Sequence, residues 1–189
     1  MKISMWKRMS YAFATVVLMA IALVARDVRI ITIRDDCDPA TFNAAVGPGT
    51  CVGGGDTTFD DFLAALADGG DDHWRFNSDR TETDGAVSSS NRGGETHTFT
   101  EVAKFGGGFI PLLNTSLPAA EQEPVTECAA RDENGNTIPD GGIGLVPAAE
   151  AIASLVPAGG TTKTQTLSRG THKFQCCIHP WMRSTVTRR

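Results

Sequence analysis

The chain has 189 residues, of which 41% are hydrophobic and 21% charged, and its formal net charge is −5 at pH 7. That is a globular composition, long enough for one domain with a real core and too short for two large ones. The acidic balance, with no basic face carrying interleaved aromatics, excludes the usual nucleic-acid footprint.

Residues 1–9 carry Lys2, Lys7 and Arg8, and residues 11–25 are then uncharged and mostly apolar. Ala20, Ala22 and Ala25 put small residues at cleavage spacing. This is the three-part design of a secretory signal peptide over residues 1–25, cut after Ala22 or Ala25. The run is shorter than the roughly 20 apolar residues a spanning helix needs. An uncleaved anchor is the alternative. Either way the folded part is expected outside the cytoplasm, in the periplasm or beyond, with no membrane span once the signal is removed.

Export changes how the five cysteines, Cys37, Cys51, Cys128, Cys176 and Cys177, are read. Spare thiols pair in an oxidising compartment, and an odd count leaves one for a metal or a reactive role. Cys37 and Cys51 flank a short segment with Pro39, Gly47, Pro48 and Gly49, a plausible local staple.

After the leader, residues 28–33 are β-branched and predict a strand. Residues 58–68 predict a helix, because Phe59, Phe62, Leu63 and Leu66 share one face. Thr58 with Asp61 gives it a capping box, and Gly69 stops it. Residues 26–70 thus read as an N-terminal extension. Residues 73–77 alternate Trp74 and Phe76 with polar residues, a half-buried strand. Residues 85–91 predict a weaker, more polar strand. After the turn at Arg92, Gly93 and Gly94, residues 95–102 alternate again.

From about 111 to 160 the texture changes to prolines, small residues and turn signals. It reads as a long connection with little regular structure, with one short helix near residues 148–155. Asn114, Thr115 and Ser116 form a glycosylation sequon, a triplet frequent by chance. Strand character resumes at 161–167 and again at 172–176. Short strands joined by Gly-rich turns predict an all-β sandwich with a short N-terminal helix and a long loop insertion.

The chemistry concentrates in the segment Phe174 to Met182. Cys176, His179 and Met182 lie three positions apart. A thiolate, an imidazole and a thioether suit copper, whose redox sites use two His and one Cys near a plane with a distant Met. One tight loop cannot close such a site, so a second imidazole must arrive from elsewhere. His97, in a predicted strand just after a Gly-Gly turn, is the best candidate. His73 and His172 read as surface or structural residues.

These motifs resemble the cupredoxin family. The loop Cys176, His179, Pro180, Met182 is similar to that of the amicyanins, and Gly170 to Phe174 is similar to the plastocyanin strand leading into the copper cysteine. The resemblance covers roughly residues 74–186 and marks 71–189 as a cupredoxin-like domain with an insertion at about 111–160. It implies a Greek-key β-sandwich holding one copper ion near one end, single-electron transfer with an unknown redox partner protein, and no enzyme activity of its own. It also implies an exit for electrons at the outer edge of His179, beside an apolar patch at Pro180 and Trp181. The 78 residues between His97 and Cys176 are roughly double the family's usual spacing.

Adjacent strand residues face opposite ways. If Cys176 faces the copper, Cys177 faces away and is free to pair with Cys128. The rival bridge, Cys128 with Cys176, would remove the copper site. With the first pairing, residues 111–160 read as a lid-like segment tethered near the metal end. Two further readings of the chain remain at this stage: a copper-binding or delivery protein, and a metal-free extracellular interaction module.

Overall fold

The computed structural model describes residues 27–132, 134, 136–138 and 146–189. The leader expected over residues 1–25 lies outside them. Among the described residues no helix is long and apolar enough to cross a membrane.

The β-branched run forms β1 (Val28–Arg34). The stapled loop holds a helix that the sequence reading missed, α1 (Pro39–Ala45). Asp38 caps it by accepting from the Ala40 and Thr41 N–H groups, and a proline stands in its first turn. Pro39 lacks an N–H where a helix start would leave one unpaired, so the Asp-Pro pair was the available signal. The helix α2 (Phe59–Ala65) forms as expected. The Thr58 hydroxyl accepts from the Asp61 N–H. A tighter turn, Leu66–Asp68, follows, and Gly69 at φ 102° ends it in a conformation that a side chain would disfavour.

The remaining strands are β2 (Arg75–Phe76), β3 (Arg80–Thr83), β4 (Ala86–Asn91), β5 (His97–Thr98) and β6 (Thr100–Val102), then β7 (Ala130–Arg131), β8 (Thr137–Ile138) and β9 (Val146–Pro147), and finally β10 (Leu155–Val156), β11 (Gln165–Thr166), β12 (Gly170–Gln175) and β13 (Arg183–Arg188). Short helices α3 (Pro111–Asn114) and α4 (Ala149–Ala153) lie between β6 and β10.

Two four-stranded sheets result, in the orders β11-β4-β1-β2 and β3-β13-β12-β6. Both are mixed: β1 runs parallel to β4 and β3 parallel to β13, while the other pairs are antiparallel. Ile31, Ile33, Phe76 and Val87 of the first sheet share one core with Phe174 and Val186 of the second. Phe99 stacks on Phe174 at 4.4 Å and meets Phe76 edge-on at 5.4 Å. The protein is an all-β sandwich with a few short helices.

Two local differences from the sequence reading matter for the site. The single strand expected over residues 95–102 is split. Its first half, β5, pairs with β10, and its second half, β6, pairs with β12. Phe99 sits at the switch with no exposure. Residues 97–100 are all buried, so strict alternation fails there. The polar strand β4 is buried as well. Ser89 and Asn91 have no exposure. Asn91 donates to the Glu95 and Val156 carbonyls, and the Ser89 N–H donates to the Thr162 hydroxyl. Partners, not apolar side chains, make that burial tolerable.

The described part of the connection between β6 and β11 carries more regular structure than its composition suggests. Its far end is built into the sandwich: Val156 is fully buried and lies opposite His97 in the ladder, and the Phe99 N–H donates to the Ser154 carbonyl. The sequon residue Asn114 is also buried. Its amide accepts from the Gly108 N–H and donates to the Gly108 carbonyl, so it closes a turn and is not presented for modification.

Removing the ring at the sheet switch should be costly. Phe99→Ala leaves a cavity between two buried partners, and a loss of about 3–5 kcal/mol is expected in urea unfolding. A loss below about 1 kcal/mol, the scale of a tolerated core swap, would show that the two sheets do not depend on this stack.

Candidate metal centre

Cys176 follows β12 directly, and the chain returns as β13 after Met182. The loop between them is closed by two backbone bonds, Cys176 N–H to the Met182 carbonyl and Met182 N–H to the His179 carbonyl, both 3.0 Å. His97 comes from β5, far away in sequence, and is held opposite Val156. The Nδ1 atoms of His97 and His179 lie 3.8 and 3.9 Å from the Cys176 sulfur. The three ligand atoms all fall within 4.8 Å of one another, and the three residues are 0–2% exposed. Met182, 1% exposed, belongs to the same core cluster as Cys176. The geometry therefore brings together the three nitrogen and sulfur donors singled out by the sequence, and places Met182 in the apolar core that holds Cys176.

The donor set fits a metal ion. The sulfur-to-nitrogen gaps are too wide for strong hydrogen bonds. They suit one ion bonded at about 2.0–2.3 Å to each atom, the range found for imidazole and thiolate ligands of zinc. The backbone favours a thiolate too: the N–H groups of Thr98 and His179 point at the sulfur from 3.4 and 3.5 Å. Burial pushes the Cys176 thiol up, but the His179 and His97 rings overcome it and hold the thiol well below its ordinary value.

The outer nitrogens of the rings meet carboxylates. His97 Nε2 lies 2.8 Å from Asp35 Oδ2, and neither side chain has any exposure. Asp35 also accepts from the N–H groups of Gly94 at 2.8 Å and Glu95 at 3.1 Å. Gly93 is required at this turn, because a Cβ there would fall 1.8 Å from Asp35 Oδ2. On the other ring, His179 Nε2 is 3.7 Å from Glu95 Oε2, the oxygen that accepts from the Trp74 indole N–H. Burial pulls the His97 imidazole down, yet Asp35 and Cys176 outweigh that and push it up to about 9. Burial raises the Glu95 carboxyl despite the opposing His179 and Trp74.

Asp35, Glu95 and Trp74 were not singled out as site residues from the sequence. Glu95 carried a signal: it stands two positions before His97, on the same face of an extended chain. Asp35 carried none, since only the register of β1 brings it under the Gly-Gly turn.

The cysteines divide as the preferred pairing required. Cys37–Cys51 and Cys128–Cys177 are disulfides, and Cys176 is free and buried. His73 is bonded to Asp71 with a 60% exposed side chain, and His172 is bonded to Glu101. Neither joins the cluster.

The cover over the site differs from the expected lid. His179, expected to offer an outer edge to a partner, is 2% exposed. Phe62 of α2, Trp74 and Trp181 stand 5.9, 6.4 and 5.5 Å from its ring. Most of this cover comes from the N-terminal part of the chain. Cys128 instead ties a separate small cluster with Val102, Val125 and Ala151 around Cys177. An apolar recess of about 390 Å³ reaches Glu95 and His179 from outside, between Phe59, Phe62 and Leu63 on one side and Leu113 on the other.

No protein-family model and no curated protein matches the chain. Solved structures of amicyanin are similar at low level. Amicyanin from Paracoccus versutus shares 10% identity, covering 89% of this chain and 87% of that one, with a TM-score of 0.36. A variant of amicyanin in its reduced Cu(I) form at pH 4 shares 10%, covering 89% and 88%, with a TM-score of 0.35.

The buried His97 pair makes a sign-specific prediction. His97 with a value of about 9 carries a proton at neutral pH, and a metal at Nδ1 has to displace it. Metal affinity should therefore fall as pH drops below about 9 and level off above it. Titration calorimetry at pH 7 in buffers of different ionisation enthalpy should detect about one released proton per bound ion. Uptake with no proton release would contradict the assignment of His97 as a ligand.

Proposed function

We propose that this protein binds one copper ion through His97, Cys176, His179 and Met182 and acts as an exported single-electron carrier. The observation that carries this reading is the buried free thiol of Cys176 with two imidazole Nδ1 atoms at 3.8 and 3.9 Å. Two imidazoles and a thiolate with a nearby methionine are the donor set of copper electron-transfer sites. The resemblance of the loop to the cupredoxins points the same way. Copper would supply the reversible one-electron change. The chain supplies a rigid hairpin loop, N–H groups aimed at the sulfur, and an apolar surround that keeps water off the ligands.

Carriage is favoured over delivery by the burial of the ligands. Handing copper to an acceptor needs an incoming ligand to reach the ion, and His97, Cys176 and His179 are 0–2% exposed. A metal-free interaction module leaves the buried Cys176 and its two facing rings without a purpose. Four protein ligands leave no open position for substrate, unlike a catalytic metal site, so the reading is not that of an enzyme. The two disulfides support an oxidising compartment, periplasmic or extracellular.

The test is optical. Protein loaded with Cu(II) should bind one equivalent and show an intense visible band from sulfur-to-copper charge transfer. Cys176→Ser should abolish the band. Met182→Leu should keep copper and shift the colour and potential, because a thioether would be the weakest of the four donors beside a thiolate and two imidazoles. A colourless product after loading, or a band that survives Cys176→Ser, would sink the proposal.

A further inference from the structure

Each imidazole of the cluster is approached on its far nitrogen by a buried carboxylate. We propose, resting on the copper reading above, that Asp35 and Glu95 are positioning residues that bias the centre toward the doubly charged ion and so set a low reduction potential.

A neutral imidazole has one N–H and one lone pair. Asp35 on Nε2 of His97 claims the N–H for that side and leaves Nδ1 as the lone pair facing Cys176. Glu95 stands on the same nitrogen of His179. His97 is thereby turned to present Nδ1 inward, while Glu95, beyond hydrogen-bond distance at 3.7 Å, adds its charge behind His179. Ligating histidines bonded to carboxylates in this way are oriented and made more basic.

The thiolate and two carboxylates place three formal negative charges in a largely buried surround, since Asp35 has no side-chain exposure and Glu95 only 9%. In a weakly screened interior their attraction for Cu(II) exceeds that for Cu(I). The carboxylates are not loose counter-ions. Asp35 is fixed by the Gly94 and Glu95 N–H groups, and Glu95 by the Trp74 indole. The Glu95 N–H donating to Asp35 links the two into one network that spans both rings. Asp35 should dominate, because its 2.8 Å contact is a hydrogen bond and the 3.7 Å of Glu95 is an ion-pair distance.

The experiment compares the full chain with Asp35→Asn and Glu95→Gln in two measurements: the midpoint potential of the copper form, and the ratio of Zn(II) to Ag(I) affinity. Asp35→Asn is expected to lower the preference for Cu(II) over Cu(I) at least tenfold, which raises the potential by about 59 mV for one electron. The Zn(II)-to-Ag(I) ratio should fall in step. Glu95→Gln should act in the same direction by less, and it serves alone if Asp35→Asn does not fold. A role confined to packing would weaken both ions alike and leave the potential and the ratio unchanged, which would overturn the proposal. A wild-type protein that takes up no copper would overturn the functional reading instead, and the Zn(II)-to-Ag(I) ratio would still decide the role of the carboxylates.

Discussion

Taking a thiol, two imidazoles and two carboxylates out of water costs several kcal/mol for each charged group that lacks a partner. In this sandwich those five groups are gathered at one place and meet one another. Asp35 faces His97, His97 and His179 face Cys176, and Glu95 faces His179 while holding Trp74. The rest of the architecture reads as what is needed to keep that set together. Removing any one member takes a partner from a buried polar neighbour.

Positioning comes from strands that pair at long range. β5 carries His97 and is held by β10, β12 ends at Cys176, and β1 ends beside Asp35. The two disulfides act on either side of this arrangement. Cys37–Cys51 packs against the Gly-Gly turn before His97, where a Cβ on Gly94 would fall 2.8 Å from the Cys37 sulfur. Cys128–Cys177 anchors the residue next to the free thiol. The aromatic rings of Phe62, Trp74 and Trp181 then close over His179. The ligands therefore sit in a rigid and nearly dry setting, with one apolar recess leading toward them.

The parts of this that the sequence disclosed are those coded by short spacing. Cys176, His179 and Met182 repeat every third residue, the β-branched run of β1 and the capped α2 follow local rules, and His97 was marked by the Gly-Gly turn. What stayed hidden depends on contacts between distant segments. The split of residues 95–102 into two strands follows from β10 and β12 competing for its two halves, and nothing in its own composition records that. The burial of the polar strand β4 depends on hydrogen bonds to Thr162, Val156 and Glu95. Residues 111–160 read as an insertion that covers His179, yet their far end is sandwich core, and among the described residues the rings over His179 come from α2, Trp74 and Trp181.

The geometry of His97, Cys176 and His179 points to convergence on one metal ion. X-ray absorption at the copper edge of the loaded protein tests this most directly, because it counts the near neighbours of the ion whatever its colour. The account predicts two imidazole nitrogens and one short sulfur, with the imidazole outer-shell pattern lost by half in His97→Ala. A copper environment of oxygen and nitrogen alone, with no short sulfur, would contradict it.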